Sequence, residues 1–130
     1  MIDSGSSGRI RGYFTLSMCS VELVGLPVEV ARELGRYPQV PSVLIGRLAV
    51  ARDKQRLGLG RRLLAEALLR VRALSRDAGC AMVLVDALDE RAAQFYMKAG
   101  FVMLAADGDE STWPRRLVLP LAWLERGQRA

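Results

Sequence analysis

The sequence predicts an α/β domain with a mixed central sheet and crossover helices. Three observations point there. Val43 to Val50 is an apolar run rich in β-branched residues, Leu59 to Leu74 carries apolar residues at helical spacing, and Ala81 to Val85 is a second continuous apolar run. A strand, a long helix and a strand in that order require a crossover, and a crossover makes the two strands parallel. With 130 residues, 51% of them hydrophobic, one domain can bury a core of useful size.

The elements follow in chain order. Residues 1–8 are Ser/Gly-rich with nothing to pack and read as a flexible end; the domain is expected over 9–125, with 126–130 as a tail. From Arg9 the chain alternates, with Ile10, Phe14, Leu16 and Met18 on one side and Arg11, Tyr13, Thr15 and Ser17 on the other, as in a half-buried strand. Pro27 starts a short helix through Val28, Val30, Ala31 and Leu34, and Gly35 is placed to end it. The segment Tyr37-Pro38-Gln39-Val40-Pro41 must be extended, because each proline restricts itself and its predecessor. It leads into the central strand. In the long helix, Leu59, Leu63, Leu64, Ala67, Leu68, Val71 and Leu74 share a face, while Arg62, Glu66 and Arg70 fall on the other. Asp77-Ala78-Gly79 makes a turn before the buried strand at Ala81 to Val85. A second helix spans Glu90 to Ala99, closed by Gly100. Phe101 to Ala105 and Arg116 to Leu121 read as strands around a polar loop, and Trp123 and Leu124 begin a C-terminal turn.

Composition sets bounds. No apolar run approaches the ~20 residues of a membrane span, so a soluble cytoplasmic protein is expected. Histidine is absent, and Cys19 and Cys80 sit in separate apolar runs without metal-ligand spacing. This argues against a zinc site, a disulfide framework and a histidine-based triad. Both cysteines read as small buried hydrophobes. The net charge is +5, carried almost wholly by arginine. That fits a polyanionic partner such as a nucleotide or a tRNA, and it equally fits a coding bias toward arginine.

The connection between the central strand and the long helix carries the chemistry. Gln55, Arg56, Arg61 and Arg62 supply donors around a turn in which Gly58 and Gly60 allow unusual backbone angles and the close approach of a ligand. The positive end of the following helix faces the same point, which is a phosphate-binding arrangement. Arg61 and Arg62 in the first helical turn oppose the macrodipole, and a bound anion would remove that conflict. The pattern lacks the Lys-Ser/Thr of a Walker loop and the third glycine of the dinucleotide fingerprint.

Gln55-Arg56-Leu57-Gly58-Leu59-Gly60 resembles the acetyl-CoA loop of the GNAT acetyltransferase superfamily, Gln/Arg-x-x-Gly-x-Gly/Ala, at every fixed position. Ala92-Ala93-Gln94-Phe95-Tyr96-Met97-Lys98-Ala99-Gly100-Phe101 is similar to that family's A-x-x-F-Y-x-x-x-G-F segment. Alone, Phe95 and Tyr96 would be core aromatics; beside the Gln55 loop, the resemblance makes Tyr96 the acid that protonates the leaving thiolate. It implies acetyl-CoA as acetyl donor with no metal, a GNAT-like mixed sheet, and cofactor contacts from Leu48, Ala49, Val50, Gln55, Arg56, Leu57, Gly58, Leu59, Gly60 and Arg61. Backbone N–H groups of Leu48 to Val50 would polarise the thioester carbonyl. Asp89 departs from the asparagine common there, which puts that contact in doubt.

Gly12 to Ser17, Arg36 to Pro38 and Val43 to Val50 further resemble the toxins of bacterial toxin–antitoxin pairs that acetylate aminoacyl-tRNA. This implies an N-acetyltransferase acting on the α-amino group of a charged tRNA, with a ribbon-helix-helix antitoxin as partner. Two alternatives remain: the same reaction on a protein N-terminus or small amine, and a truncated, non-catalytic acetyl-CoA-binding module. Against the family pattern the domain is N-terminally shortened. An incomplete sheet leaves an edge to be covered, and a homodimer is expected.

Overall fold

The computed structural model describes residues 2–3, 12–34, 38–50, 59–104 and 112–127. One six-stranded sheet runs through them in the order β1-β2-β3-β4-β6-β5. Its strands are β1 (Ile2–Asp3), β2 (Gly12–Glu22), β3 (Gln39–Val50), β4 (Met82–Ala87), β5 (Val102–Met103) and β6 (Arg115–Pro120). The helices are α1 (Val28–Glu33), α2 (Leu59–Ala78), α3 (Glu90–Lys98) and α4 (Leu121–Gly127). Only the β3–β4 pair, bridged by α2, is parallel; the other four are antiparallel. The expected mixed sheet with a crossover helix is therefore present.

The period of two along each strand builds two cores. Val43, Ile45, Val83, Val85, Ala87, Leu117 and Leu119 face α2 and α3, meeting Leu63, Leu64, Ala67, Leu68 and Val71. Val40, Met82, Leu84 and Val118 face the other way, toward Leu26, Val30 and Leu34 around α1. Each fully buried aliphatic side chain is worth roughly 1.5–3 kcal/mol, against a few tenths for an exposed helix charge pair, so packing holds α2. On α4, Trp123 Nε1 donates to Glu33 Oε1 of α1 at 3.1 Å, tying the last helix to the first.

Several expectations need correction. Ile2 and Asp3, expected in a flexible end, pair with Tyr13 and Gly12. Phe14 and Leu16 do pack on the α2 side, but Met18 is 55% exposed, whereas Cys19 and Val21 pack on the α1 side. Along this outer strand burial depends on the helix layers, and beyond Leu16 the α1 layer supplies it. The central strand begins at Gln39 and not Val43, with Pro41 inside it; Pro41 lacks an N–H, yet its carbonyl accepts from Ala81 N at 2.9 Å. Asp77 and Ala78 belong to α2, and the reversal falls on Gly79 at φ +71. The fourth strand extends past Val85 to Ala87. Of the strand expected over Phe101 to Ala105, Val102 and Met103 are strand and Ala105 lies outside the described residues; the C-terminal turn begun at Trp123 and Leu124 is a helix, Leu121–Gly127.

Candidate active site

The sheet opens where its one parallel pairing stops. The last β3–β4 pair is Ile45 with Val85. Beyond it β3 stays with β2 as far as Val50 opposite Gly12, while β4 stays with β6 as far as Ala87 opposite Arg115. Two strands that each keep their outer neighbour and lose each other leave a wedge between them. Leu48, Ala49 and Val50 form its β3 side, and their strand edge toward β4 has no ladder partner among the described residues.

Helix α3 is aimed by its cap. Asp89 adopts an extended conformation, and its side chain accepts from Ala92 N at 2.8 Å. Aspartate and asparagine cap equally well, so the departure from the family's asparagine leaves helix initiation intact. The C-terminal end turns at Gly100, φ +107. Between these ends Tyr96 lies beneath α3, its ring edge-to-face with Phe95 at 5.3 Å and Phe101 at 5.7 Å. It is 8% exposed. Burial pushes the phenol's pKa above its ordinary value, and the negative charge of Asp86 adds to the rise. The hydroxyl therefore stays protonated at neutral pH, as a proton donor must.

A cleft of about 630 Å³ lies between α2 and α3. Leu64, Leu68 and Phe95 give it an apolar floor, and Arg61, Arg91, Lys98 and Gln94 a polar rim. The sequence reading gives Gly60 an unusual backbone, but it sits in the first turn of α2, and Gly79 and Gly100 are the described glycines with positive φ. A Cβ at Gly60 would meet the Phe95 ring at 3.7 Å, an ordinary van der Waals contact. The first turn of α2 holds no acidic residue, so its positive end and the Arg61 guanidinium add charge of the same sign beside the cleft. The floor suits an apolar tether and the rim suits phosphates.

Of the expected site residues, Arg61 lines the cleft, Gly60 lies against Phe95 in its floor, and Leu48 to Val50 lie at the end of β3 beyond the last β3–β4 pair. Tyr96 is adjacent, under α3, without lining the cleft. Gln55, Arg56, Leu57 and Gly58 lie outside the described residues, as does the side chain of Leu59. Sequence reasoning missed Arg91, Gln94 and Lys98, although their three- and four-residue spacing on α3 marks a single polar face. It also missed a bidentate pair at the wedge. Arg116 Nε donates to Asp86 Oδ1 at 2.8 Å and Nη2 to Oδ2 at 3.1 Å. Among the described residues no group of three or more His, Cys, Asp or Glu is placed to hold a metal.

Residues 19–103, which span the wedge, both flanking helices and the capped Tyr96, match the acetyltransferase (GNAT) domain. The chain belongs to the GNAT acetyltransferase family. This GNAT chain is 35% identical over 100 residues to a tRNA-acetylating toxin of Mycobacterium tuberculosis (strain ATCC 25618 / H37Rv), covering 77% of its own length and 59% of the relative's. AtaT complexed with acetyl-methionyl-tRNAfMet superposes with a TM-score of 0.80 at 30% identity, covering 95% of this chain and 71% of that one. A tyrosine-to-phenylalanine variant of AtaT, bound to the C-terminus of the antitoxin AtaR and acetyl-CoA, gives 0.71 at 28% identity, covering 93% and 67%. Among the described residues no helix is long and apolar enough to cross a membrane.

Proposed function

We propose that this GNAT domain transfers the acetyl group of acetyl-CoA to a primary amine, and that the amine is the α-amino group of an aminoacyl-tRNA. The observation that carries the reading is the wedge between β3 and β4, where the strand edge of Leu48 to Val50 has no ladder partner among the described residues. Acetyl-CoA supplies an activated acyl group as a thioester; the solved AtaT complex with acetyl-CoA and its antitoxin supports this donor. Arg61, with Arg91 and Lys98 across the cleft, would hold the phosphates, alongside Gly60, Leu59 and the Gln55-Arg56-Leu57-Gly58 loop. The unpaired edge of Leu48, Ala49 and Val50 would align the acyl arm as a short pseudo-strand, and its N–H groups would stabilise charge developing on the acyl oxygen. Tyr96 would protonate the departing sulfur, a role that suits a phenol held neutral by burial.

The tRNA acceptor is supported by the similarity to a tRNA-acetylating toxin and to AtaT bound to acetyl-methionyl-tRNAfMet, together with the +5 charge. A small antitoxin, of ribbon-helix-helix type, is the matching protein partner. The outer edge of β2 past Tyr13 has no strand partner among the described residues, and Met18 projects from it. A second copy of the chain covering that edge completes the assembly; a sedimentation profile that stays monomeric at micromolar concentration would refute the dimer.

The direct test is transfer of labelled acetyl from acetyl-CoA to a pool of aminoacylated tRNA, comparing the wild type with Tyr96→Phe, and with uncharged tRNA and spermidine as controls. Label on charged tRNA alone, lost in the Phe variant, is expected. Equal labelling of spermidine would favour a small-amine acceptor, and cofactor binding with no transfer would favour a non-catalytic module.

A further inference from the structure

We infer that Asp86, held in place by Arg116, is the group that receives the acceptor amine; this rests on the acetyl-transfer reading above. The period of two along β4 sends Val83, Val85 and Ala87 into the core beneath α2 and α3, and sends Met82, Leu84 and Asp86 to the opposite face of the sheet. The cationic cleft lies between α2 and α3. A donor reaching the wedge from those helices leaves the opposite face for the acceptor, and Asp86 stands on that face at the mouth of the wedge.

The surroundings are built for access. Asp86 is the first β4 residue past the last β3–β4 pair, and the position opposite it in the continued register is Gly46. Glycine leaves the opening without a side chain there. It is also constrained, because a Cβ at Gly46 would come within 2.9 Å of Thr15 Oγ1. The Asp86 carboxylate is 37% exposed, and Arg116 uses one lone-pair site on each of its oxygens. Each oxygen keeps another. The guanidinium therefore fixes the carboxylate plane while leaving acceptor capacity directed outward. The charged and titratable groups that sense Asp86 are Arg116 on β6, Cys19 on β2 and Tyr96 on α3. Of these Arg116 carries the countercharge. A primary ammonium is the acceptor form that such a carboxylate attracts, and the neutral amine left after proton loss to solvent still donates N–H to it.

The sign of the pH effect follows. A carboxylate beside a bound ammonium raises the ammonium's pKa, so the acid limb of kcat lies higher with Asp86 than without it. In Asp86→Asn that limb should move about one unit toward acid, while KM for aminoacylated tRNA at pH 6.5, where the amine is largely ammonium, rises by about tenfold, one unit of lost charge stabilisation corresponding to tenfold. The Kd for acetyl-CoA, measured separately by calorimetry, should stay within about twofold, since the cleft residues are untouched. Arg116→Gln leaves the carboxylate but frees it and removes a neighbouring positive charge, so any movement of the acid limb should be toward alkali, opposite to that in Asp86→Asn. An unchanged acid limb and acceptor KM in Asp86→Asn would overturn the assignment and leave a purely structural cross-strand pair. Binding is also read without turnover, by NMR titration of methioninamide into the CoA-bound protein at pH 6. Saturable shifts in the wild type that weaken about tenfold in Asp86→Asn support the assignment even if no amine is acetylated. No shifts in the wild type, or equal shifts in both proteins, overturn it. If Asp86→Asn does not fold, Asp86→Glu replaces it: the retained charge should keep the acid limb in place while the displaced carboxylate raises the acceptor KM.

Discussion

Replacing Asp89 with alanine tests how α3 is aimed. The Asp89 carboxylate accepts from Ala92 N at 2.8 Å at the start of α3. Removing an N-cap acceptor costs about 1 kcal/mol, within a range of roughly 0.5–2. Its negative charge at the positive helix end adds about 0.3–1 kcal/mol when exposed, less at high salt. Asp89→Ala should therefore lower stability by about 1–2 kcal/mol. At roughly 3–6 °C per kcal/mol for a domain of this size, that is a fall in Tm of several degrees. Asp89→Asn keeps the acceptor and loses the charge, so it should cost only the smaller part. Circular dichroism melts in 50 mM and 500 mM NaCl separate the two: the Asn-to-wild-type gap should shrink with salt and the Ala-to-Asn gap should not. Because α3 also carries Arg91 and Phe95 into the cleft, acetyl-CoA affinity should fall with the cap in the Ala variant and recover in the Asn variant. If Asn proves as damaging as Ala, or Ala melts with the wild type, the capping argument is wrong.

Other outcomes follow from the same geometry. Gly46→Ala forces its Cβ within 2.9 Å of Thr15 Oγ1, which should destabilise by about 1–3 kcal/mol; Thr15→Ala in the same chain should restore most of the loss in urea melts. Tyr96 has a folded-state pKa raised above 10.0, so stability should be intact below pH 10 and fall as pH rises toward the raised value, where the unfolded phenol ionises first. Tyr96→Phe should reduce that alkaline loss, as read from denaturant midpoints between pH 9 and 11. Removing Arg91 and Lys98 together should weaken acetyl-CoA binding and flatten its salt dependence, with no change in Tm beyond that of ordinary surface substitutions.

The sheet and the two main helices were legible because their signals are local. Ala81 to Val85 announces itself as an unbroken apolar run and the face from Leu63 to Val71 by its period, and Gly100 marks the end of α3. What stayed hidden depends on register between distant segments. Asp86 and Arg116 are separated by 29 residues of sequence, and nothing in either neighbourhood marks the other as partner. The pairing of Ile2–Asp3 with Gly12 and Tyr13 belongs to the same class. Met18 was misplaced because alternation gives the face of a strand but not whether a helix covers it. Pro41 falls in the extended lead-in ahead of the expected strand because its lost N–H is visible in sequence, whereas the acceptor role of its carbonyl, which lets the strand start at Gln39, is not. In the candidate site, the glycine and tyrosine motifs could be read directly. The wedge could not, since it consists of pairing that stops.

That short parallel ladder also bears on how the chain assembles. Four residue pairs, Ser42–Ile45 with Met82–Val85, join β2–β3 to the unit formed by β4, α3, β5 and β6. Each side is stitched by antiparallel contacts, but the joint needs the whole of the connecting segment with α2 to be closed first, and such non-local pairing forms late. The amides of Val43 and Leu84 should therefore exchange with solvent sooner than that of Val83 toward β6. A molecule bridging the two sides at the wedge would act as a clasp, slowing exchange most at the seam and least in the outer strands.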